Sequence, residues 1–540
     1  MVETIIAVFI FFSLYAFGHK RLLRYFQYFQ QEQYLVDHFA SWFFRNKAFD
    51  KKGSAATLLA GGISIFMPSV GAFVSAISLI ALFYVARTEA DPRKAGKLPL
   101  KMTERVKAMF RLSLFLYTLT LFVLISSFYF ISTESDFYKV WLLLFLQIQL
   151  IPGFLLLSFA LLLPFEKAKQ NRLLSDAKRI IREFNPYVIG VTGSYGKTST
   201  KNMLGEILHE IRGNVFWPQK GINTPMGITR EIRERLKQSD KYAVVEMGAY
   251  KIGSIKRLCD LTPPSACIVT AVGLVHLDRF GSAENVYLAK SELPQAVPAD
   301  GVLVCNGDDP QTRRMAVEHK KKTTILYGMD TSKGHLDCVL INPHFDIDGS
   351  HFEIQWKDKR YQAYTKLLGA PALQNILASF SMACALGFAP ELVVAAIRNI
   401  QPVDNRLSLK KAGEVIYLND AYNSNPAGFK AALDVLKELA SKRKILVTPG
   451  MIELGNEQFE ENRKIAEYAA SICDELLFVG PTNKEAFEKG FLPGAKNKEA
   501  FKYFETRTQA LSHLTSMQAA GDCILIENDL PDLFEDVPSF

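Results

Sequence analysis

The segment Val188–Thr200 constrains the fold of this chain more than any other stretch. It begins with a β-branched, apolar run, passes through a turn bounded by Gly193 and Gly196, and continues into a helical pattern of apolar residues. A strand, a glycine loop and a helix in this order allow backbone N–H groups and a helix N-terminus to surround a phosphate. In such a loop Lys197 reaches the terminal phosphates and the Thr198 hydroxyl binds Mg²⁺. The segment therefore predicts a nucleotide-binding loop within an α/β domain.

The glycine spacing of this loop is shorter than usual. The standard spacing requires a glycine at position 191, where this chain has Val191, so the pattern is Gly-x-x-Gly-Lys-Thr. An ordinary glycine turn before a helix is the alternative, and the flanking strand and helix disfavour it. The predicted nucleotide-binding residues of the loop are Gly193, Ser194, Gly196, Lys197, Thr198 and Ser199.

Basic residues are concentrated in the N-terminal third of the chain. The formal net charge is +8, and residues 1–186 contain 22 Lys and Arg against 12 Asp and Glu, whereas the remainder contains 41 against 43. The part that carries the nucleotide loop is nearly neutral, so no nucleic-acid partner is expected. The seven cysteines all follow residue 250 without a Cys-x-x-Cys pair, which predicts reduced, buried thiols.

Long apolar runs without charges precede the nucleotide loop. They are Thr4–Gly18, Ala55–Ala86, Leu112–Thr133 and Val140–Phe165. A membrane span needs about 20 apolar residues, so the third and fourth runs are long enough to cross, with a kink expected at Pro152-Gly153. The first run lacks a basic start and a small-residue cleavage site, which predicts an anchor rather than a cleaved signal peptide. Residues 1–186 are therefore predicted to form an α-helical transmembrane and juxtamembrane region in contact with a lipid bilayer.

The basic residues near the span ends predict an orientation. The connection Arg87–Arg111 carries eight Lys and Arg residues, so it is expected on the cytoplasmic side. The turn Glu134–Lys139 has two acids and one base and is expected outside. The last span then returns the chain to the cytoplasm before the basic stretch Lys167–Arg182. The predicted location is the inner or plasma membrane, multi-pass, with all later residues in the cytoplasm.

Two parts of this region leave alternatives open. The segment His19–Ser54 is also basic and favours the cytoplasmic side, so Ala55–Ala86 either crosses once or forms a re-entrant hairpin broken at Gly61-Gly62 and Pro68. Its 32 residues would form about 48 Å of helix, longer than one crossing needs. The stretch Glu166–Asn185 is basic with an apolar stripe, which fits either a helix on an anionic inner leaflet or a solvated linker helix.

Helical patterns alternate with short β-branched runs over about residues 187–402. The predicted strands are Tyr187–Val191, Tyr242–Val245, Ala266–Thr270 and Gly301–Val304. This alternation predicts a parallel sheet with helices on both faces and the nucleotide loop at the carboxyl end of a strand. Near residues 324–365 the pattern becomes strand-like, which predicts an antiparallel extension. Residues 403–540 repeat the α/β pattern on a smaller scale, so the expected domains are 1–186, 187–402 and 403–540.

Several residues of the central domain can carry chemistry. One predicted strand delivers Glu246 to its end, where a carboxylate can bind Mg²⁺ beside Thr198. His276 follows the next strand, and Lys290 lies within a helical pattern. Taken singly, His276 and Lys290 are more typical of structural and surface positions than of an active site.

Together and in this order, these segments resemble the Mur ligase family of ATP-dependent amide ligases in cell-wall precursor synthesis. The motifs are Gly-Ser-Tyr-Gly-Lys-Thr-Ser-Thr, Asn-Thr-Pro-Met-Gly, Val-Val-Glu-Met-Gly-Ala, Gly-Leu-Val-His-Leu-Asp-Arg-Phe-Gly-Ser and Ala-Lys-Ser-Glu-Leu. The resemblance covers about residues 187–530 and is strongest to the branch that adds D-alanyl-D-alanine to a muramyl tripeptide. It implies a P-loop central domain followed by a Rossmann-like C-terminal domain.

The resemblance also implies roles for individual residues. Thr198 and Glu246 correspond to ligands of a first Mg²⁺ and His276 to a ligand of a second. Lys290 corresponds to a lysine that the family carries as a carbamate. The implied catalytic residues are Lys197, Lys290 and His276.

Further correspondences concern the substrates. Asn375 corresponds to an adenine-binding asparagine, although Pro371-Ala372 replaces the His-Asn pair that usually precedes it. Arg406 and Asp420 correspond to residues that close onto ATP. The residues that correspond to positions near the substrates are Asn223, Thr224, Tyr422, Asn423 and Asn425.

Two departures from the family pattern leave the substrates open. Glu527-Asn528-Asp529-Leu530 stands where the family has a Lys-Gly-Ser segment near the incoming amine. Residues 1–186 replace the soluble domain that grips the uridine nucleotide. The implied function is amide formation through an acyl phosphate, with ATP and two Mg²⁺ ions. The acceptor would be a carboxylate on a cell-wall glycopeptide or a lipid-linked precursor, and an amine would be the donor.

Other functions remain as alternatives. A membrane-bound ligase could instead make a capsule-type or polyglutamate amide polymer. A membrane transport ATPase is disfavoured because the chain has no Leu-Ser-Gly-Gly-type signature and Glu246 has no second acid beside it. A scaffold without activity is disfavoured because the motif residues are retained. The oligomeric state is not indicated by the sequence.

Overall fold

The computed structural model of the chain describes residues 2–32, 34–94, 99–130, 137–273, 280–402, 406–421, 424–452 and 454–528. Contacts divide the chain into an N-terminal unit that ends at Lys169 and a C-terminal unit that begins at Gln170. The boundary near residue 402, between the two expected α/β domains, remains a prediction.

The N-terminal unit is helical. Its helices are α1 (Val2–Gln31), α2 (Val36–Arg45), α3 (Lys51–Phe66), α4 (Pro68–Thr88), α5 (Glu104–Phe130), α6 (Phe137–Gln149) and the first part of α7 (Ile151–Phe184). Within the described residues, Glu104–Ser126 and Ile151–Phe184 are long and apolar enough to cross a membrane, judged by length and composition. Residues 134–136 of the predicted outer turn lie outside the described part of the chain.

The long apolar run Ala55–Ala86 forms two packed helices rather than one. α3 ends at Phe66 and α4 begins at Pro68, which suits a first helical position because it has no N–H to leave unbonded. The break predicted at Pro68 is therefore confirmed. The break predicted at Gly61-Gly62 is wrong, because α3 continues through both glycines.

The two ends of this helical pair lie together. Lys52, at the start of α3, places its Nζ 3.3 Å from Glu89 Oε1, which follows α4. The buried guanidinium of Arg21 pairs with both Asp50 and Glu89. The run is therefore a helical hairpin whose two ends share one ion-pair cluster.

The fourth apolar run is interrupted rather than kinked. α6 ends at Gln149 and α7 begins at Ile151. Pro152 is the second residue of α7, where a missing N–H costs no intrahelical hydrogen bond. The kink predicted at Pro152-Gly153 is thus replaced by a helix boundary.

The first sheet of the C-terminal unit carries the nucleotide loop. Its strands are β1 (Tyr187–Thr192), β2 (Val215–Phe216), β3 (Tyr242–Glu246), β4 (Ala266–Val269), β5 (Val302–Asn306), β6 (Thr323–Gly328), β7 (Cys338–Phe345), β8 (Ser350–Trp356) and β9 (Lys359–Thr365), in the spatial order β2-β3-β1-β4-β5-β6-β7-β8-β9. Neighbours from β2 to β7 pair in parallel, and β7, β8 and β9 pair antiparallel. The predicted parallel sheet is confirmed. The antiparallel extension predicted from about residue 324 begins only at the pair of β7 and β8, because β6 pairs in parallel with both of its neighbours.

Helices cover both faces of this sheet. They are α8 (Lys197–Arg212), α9 (Pro225–Arg235), α10 (Ser254–Cys259), α11 (Ala283–Ala296), α12 (Pro310–Glu318), α13 (Ala370–Ala385) and α14 (Pro390–Ile397). Successive residues of a strand point to opposite faces, so Ile189 packs into one hydrophobic core and Val188 into the other. Burial on both faces explains why β1 reads as a continuous apolar run.

A second, smaller sheet follows. Its strands are β10 (Ser408–Ala412), β11 (Val415–Asp420), β12 (Arg443–Thr448), β13 (Glu475–Val479), β14 (Phe501–Phe504) and β15 (Asp522–Glu527), in the order β10-β11-β15-β12-β13-β14. All neighbours are parallel except β10 and β11. Its helices are α15 (Pro426–Glu438), α16 (Gln458–Ala470), α17 (Lys484–Phe491) and α18 (Arg507–Met517).

The C-terminal half of α7 packs against the first sheet and its helices. Ala177 is fully buried and Ile181 is 6% exposed, in a hydrophobic core that also contains Ile232 of α9. Asp176 lies 3.9 Å from Arg233 of α9. Both interpretations of Glu166–Asn185 are therefore wrong for this half of the helix, because its apolar stripe contacts protein rather than lipid or solvent.

Candidate active site

The predicted phosphate loop connects β1 to α8. Gly193 has φ +152° and Gly196 has φ +77°, values that favour glycine. A Cβ at Gly193 would collide with Thr270, and one at Gly196 would collide with the Asn375 side chain. Both glycines are therefore required by their backbone conformation and by their neighbours.

Hydrogen bonds to the segment after β4 hold the loop in place. The Ser194 backbone N–H donates to Ala271 O at 2.7 Å. The Ser194 hydroxyl is 2.8 Å from the Gly273 N–H, which donates to it, and Thr270 Oγ1 donates to Tyr195 O at 2.5 Å. The loop is thus shaped by protein contacts before any ligand binds.

Glu246 connects the loop to a second segment of the domain. It lies at the end of β3, is 1% exposed, and accepts a hydrogen bond from Thr198 Oγ1 at 2.7 Å on Oε2. Its other oxygen, Oε1, accepts from Asn223 Nδ2 at 2.9 Å. The hydroxyl and the carboxylate are the oxygen ligands that Mg²⁺ prefers, so these residues fit a magnesium site. The predicted proximity of Thr198 and Glu246 is observed, and the contact of Asn223 with Glu246 was not predicted from the sequence.

Lys201 is a buried residue of this site that the sequence analysis did not identify. Its side chain is 0% exposed, and Nζ donates to Pro218 O and Lys220 O, both at 2.5 Å. Burial lowers the pKa of Lys201 to about 8. These bonds hold the segment that leads to Asn223. The helical spacing places Lys201 on the same face as buried Leu204 and Leu208, which is the signal that could have revealed it.

Two more lysines lie close to the loop. Lys197 Nζ donates to Ser194 O at 3.2 Å, and burial lowers its pKa while the charge of Glu246 opposes this effect. Lys290, in α11, is 3% exposed. Burial and the nearby charge of Lys197 lower the pKa of Lys290 to about 7. A substantial fraction of Lys290 is therefore a neutral amine near pH 7.

The second half of the C-terminal unit also reaches the loop. Asn375 Oδ1 in α13 accepts a hydrogen bond from Thr200 Oγ1 at 3.0 Å. Arg406 Nη1 donates to Ser199 Oγ at 3.1 Å. Asp420, at the end of β11, accepts from the Leu407 N–H at 3.0 Å. Burial raises the pKa of Asp420 to about 6, although the charge of Arg406 opposes the rise.

The remaining predicted residues have other contacts or lie outside the described chain. Thr224 Oγ1 accepts from the Gly227 N–H and caps α9. Asn425 Oδ1 accepts from the Gly428 N–H and caps α15. His276, Tyr422 and Asn423 lie outside the described residues. Over the described part of the chain, no group of three or more His, Cys, Asp and Glu residues is arranged to hold a metal.

Family models match most of the C-terminal unit. The model for the Mur ligase middle domain matches residues 191–383, and the model for the Mur ligase glutamate ligase domain matches residues 405–527. Together they cover the second sheet and the first sheet apart from most of β1.

Named relatives match the same part of the chain. The UDP-N-acetylmuramoyl-tripeptide–D-alanyl-D-alanine ligase of Mycobacterium tuberculosis is 32% identical over 303 residues, which are 54% of this chain and 58% of the relative. The ligase of the same name from Bacillus subtilis is 32% identical over 288 residues, 52% of this chain and 59% of the relative. The chain thus matches less than two thirds of the length of these relatives.

Solved structures show the same fold. MurF from Acinetobacter baumannii has a TM-score of 0.58 and 24% identity, with 67% of this chain and 77% of that chain covered. The MurF ligase from Thermotoga maritima, solved in complex with ADP, has a TM-score of 0.59 and 23% identity, with 67% and 81% covered. At this level of identity the likeness is one of fold.

Proposed function

Because this chain belongs to the Mur ligase family, we propose that it is an ATP-dependent ligase that joins a carboxylate to an amine. The observation that carries this proposal is the position of Glu246, whose two oxygens contact Thr198 of the phosphate loop and Asn223. A nucleotide phosphate, a magnesium ion and an acceptor bound at these residues would be direct neighbours. Such proximity is what carboxylate activation by ATP requires.

The proposed reaction has two steps. The acceptor carboxylate attacks the γ-phosphorus of ATP and forms an acyl phosphate as ADP leaves. The amine then attacks the acyl carbon, and phosphate leaves with the former carboxylate oxygen. Lys197 and the loop N–H groups offset charge on the transferred phosphoryl group. Little covalent chemistry is asked of the protein, so positioning dominates.

Magnesium would be held by the Thr198 hydroxyl and the Glu246 carboxylate, and it would neutralise phosphate charge. A second ion, near His276, belongs to the same proposal. Lys290 would act as a carbamate near this ion. Addition of CO₂ to its neutral amine releases a proton and leaves an anionic, carboxylate-like group. The lowered pKa of Lys290 supports this role, since only the neutral amine reacts with CO₂.

The proposed nucleotide contacts extend beyond the loop. Asn375 and Arg406 contact Thr200 and Ser199, where they would border the rest of the nucleotide. Asp420 accepts a hydrogen bond from the Leu407 N–H and so anchors the segment that carries Arg406. Tyr422, Asn423, Asn425, Asn223 and Thr224 would contact the acceptor and the amine. The names of the relatives favour a cell-wall glycopeptide as acceptor and D-alanyl-D-alanine as amine.

We further propose that the N-terminal unit lies in the membrane. Among the described residues, 29 large apolar side chains are exposed in this unit and 8 in the larger C-terminal unit. Phe115 and Phe122 of α5, for example, are 61% and 60% exposed. Apolar exposure on this scale favours a lipid or protein partner. A lipid-linked acceptor would then be available at the surface where the enzyme resides.

The helical hairpin supports one of the two topologies for residues 55–86. Its two ends share the cluster of Arg21, Asp50 and Glu89, so both ends belong on one side of the membrane. The charged segments before and after the hairpin are both basic, and the cytoplasmic side satisfies both. The hairpin would then enter and leave the bilayer from the cytoplasm, where the ligase domains also lie.

Phosphate release tests the proposed activity. The full chain in detergent is supplied with ATP, Mg²⁺, D-alanyl-D-alanine and a muramyl tripeptide, either as the uridine nucleotide or on a lipid carrier. Release that depends on both acceptor and amine, and that is abolished in folded Lys197→Ala, supports the proposal. Release without an amine, no response to any carboxylate acceptor, or full activity of Lys197→Ala would reject it.

A further inference from the structure

Arg105 of the N-terminal unit lies against a cluster of aromatic rings. It is the second residue of α5, at the start of a segment long and apolar enough to cross a membrane. Its guanidinium carbon is 4.4 Å from the ring centroid of Tyr34 and 5.6 Å from that of Phe159. Phe29 is fully buried and packs edge-to-face against both rings. Arg105 and these three rings are called the Arg105 site below.

Gln30 fixes two parts of the chain beside Arg105. Its Nε2 donates to Tyr34 Oη at 2.9 Å and to Lys101 O at 3.0 Å, and its Oε1 accepts from the Lys101 N–H at 2.8 Å. Tyr34 has φ +59°, a backbone conformation that is unfavourable for a residue with a Cβ. The Tyr34 ring is therefore held beside Arg105 in a strained conformation, and such strain is concentrated at functional sites.

The charge of Arg105 has no acidic partner among the described residues. The connection Arg87–Arg111 contains eight Lys and Arg residues and three acids. Each acid pairs with another cation: Glu89 with Arg21, Asp91 with Arg93, and Glu104 with Lys107. Arg105 Nε is buried and has no hydrogen-bond partner in this part of the chain. An unsatisfied buried N–H is costly, so the site favours an anionic occupant that supplies oxygen acceptors.

A guanidinium of this kind suits a phosphate group. Its planar fork can donate two parallel N–H bonds to phosphate oxygens, and its weak hydration favours a partly buried contact. The Arg105 side chain is half-buried, so a ligand can reach it from one side. The excess of basic residues in the connection Arg87–Arg111 adds to the attraction for an anion.

Exposed apolar side chains beside the site favour a lipid over a free phosphate ion. Leu35 and Val36 follow Tyr34 directly and are exposed, as is Phe44 of α2. Phe159 belongs to the apolar first part of α7. A free ion would leave these apolar side chains in water, whereas a lipid would cover them with its acyl chains while its headgroup contacts Arg105.

We propose that the Arg105 site binds the phosphate group of an anionic lipid in the cytoplasmic leaflet. The guanidinium donates to the phosphate oxygens, and the acyl chains lie along the exposed apolar side chains next to Tyr34. The leaflet follows from the expected cytoplasmic position of the connection Arg87–Arg111. The inference rests on the proposed membrane location of the N-terminal unit and is independent of the ligase activity.

Native mass spectrometry of the full chain in detergent tests this site, because each bound lipid adds one lipid mass. Dioleoyl phosphatidylglycerol is the probe. Dioleoyl phosphatidylcholine is the matched control, since it has the same acyl chains and a phosphate whose charge is neutralised by its choline group. The first phosphatidylglycerol should bind about tenfold or more tightly than the first phosphatidylcholine.

Arg105→Gln and Arg93→Gln separate the site from general charge effects. Arg93 is exposed in the same connection and pairs with Asp91, so its variant removes the same charge. Arg105→Gln should abolish the preference for phosphatidylglycerol, and Arg93→Gln should keep it. A cooperative thermal transition without added lipid shows that a variant is folded. If Arg105→Gln does not fold, Arg105→Lys replaces it, and the loss of the planar fork should still remove most of the preference.

The outcomes distinguish this inference from the proposed membrane location. Equal affinity of the wild type for the two lipids, or an undiminished preference in the folded Arg105 variant, would overturn the lipid site. Displacement of phosphatidylglycerol by an equal concentration of inorganic phosphate would also overturn it, because the site would then be one for free anions. Both results leave the membrane location intact if the chain sediments with membranes. A chain that stays in solution without detergent would instead reject the membrane location on which the inference rests.

Discussion

Glu246 is the residue through which the nucleotide loop meets the segment of Asn223. Its two oxygens have different partners, Thr198 and Asn223. Replacement of the carboxylate by a neutral group of the same shape therefore removes the charge and keeps a polar atom beside each partner. The isosteric amide can still contact both neighbours, but it supplies no anionic ligand to a cation. This separates the role of the carboxylate in metal binding from its role in packing.

Glu246→Gln should abolish the stimulation of ADP binding by Mg²⁺ while binding of ADP without metal changes by less than about threefold, a difference below 1 kcal/mol. Isothermal titration of ADP with and without MgCl₂ measures both values. Glu414→Gln is the matched control. Mg²⁺ stimulation that persists in Glu246→Gln would contradict the metal role.

Lys290 should form a carbamate that depends on pH. Its pKa of about 7 means that the reactive neutral amine becomes dominant as the pH rises through 7, whereas an ordinary lysine stays protonated until about pH 10. ¹³C NMR of the protein in ¹³C-bicarbonate should show a carbamate signal that increases between pH 6 and pH 8. Lys290→Ala should lack this signal and Lys320→Ala should keep it. A signal unaffected by Lys290→Ala would refute the assignment.

At the scale of elements, the first sheet could be predicted closely and some packing could not. The predicted boundaries of the β-branched strands lie within one or two residues of the observed boundaries, because a parallel sheet covered on both faces requires continuous apolar runs. The Thr198–Glu246 contact followed from the rule that strand ends meet at one edge of such a sheet.

Contacts between distant segments were not evident from the chain alone. Glu527 faces Asp420 only because β15 pairs with β11, and no local pattern encodes that pairing. The apolar stripe of residues 173–181 was predicted to face membrane or solvent, and in the structure it packs against protein, since amphipathicity does not identify the partner surface. The carbonyls of Pro218 and Lys220 that accept from Lys201 likewise belong to a segment 17 to 19 residues further along the chain.

The packing of α7 predicts how truncation of a buried or an exposed side chain on this helix changes the free energy of unfolding. Ile181 is buried in the core that contains Ile232, so Ile181→Ala should lower the free energy of unfolding by about 2–4 kcal/mol. Arg179, on the same helix, is exposed and forms a helical ion pair with Glu183, so Arg179→Ala should change the free energy of unfolding by less than about 0.5 kcal/mol. Urea unfolding of the full chain in detergent measures both. Equal effects would mean that Ile181 is not part of this core.

At the scale of the whole molecule, a Mur ligase fold follows an N-terminal unit that is proposed to lie in the membrane. The two parts differ in which side chains they expose, and this difference supports the membrane location more strongly than the length of any one helix. The cysteines make the topology testable. All seven follow residue 250 and six are buried, so cysteines introduced into residues 1–186 can be labelled against a low background.

Single cysteines should report the proposed orientation. Ser135→Cys, in the turn expected outside, should react with a membrane-impermeant maleimide in intact cells. Lys47→Cys and Lys94→Cys, before and after the hairpin, should react only after permeabilisation, because both of its ends are proposed to be cytoplasmic. Labelling of Lys47→Cys but not Lys94→Cys in intact cells would show that residues 55–86 cross the membrane once.

The fate of one oxygen atom tests the central claim most directly. The acceptor that supports the greatest phosphate release is labelled with ¹⁸O in its carboxylate, and the released phosphate is analysed by mass spectrometry. Activation through an acyl phosphate predicts one ¹⁸O atom transferred from the carboxylate to each phosphate, with ADP as the other product. Unlabelled phosphate, or ¹⁸O found in AMP, would contradict the account.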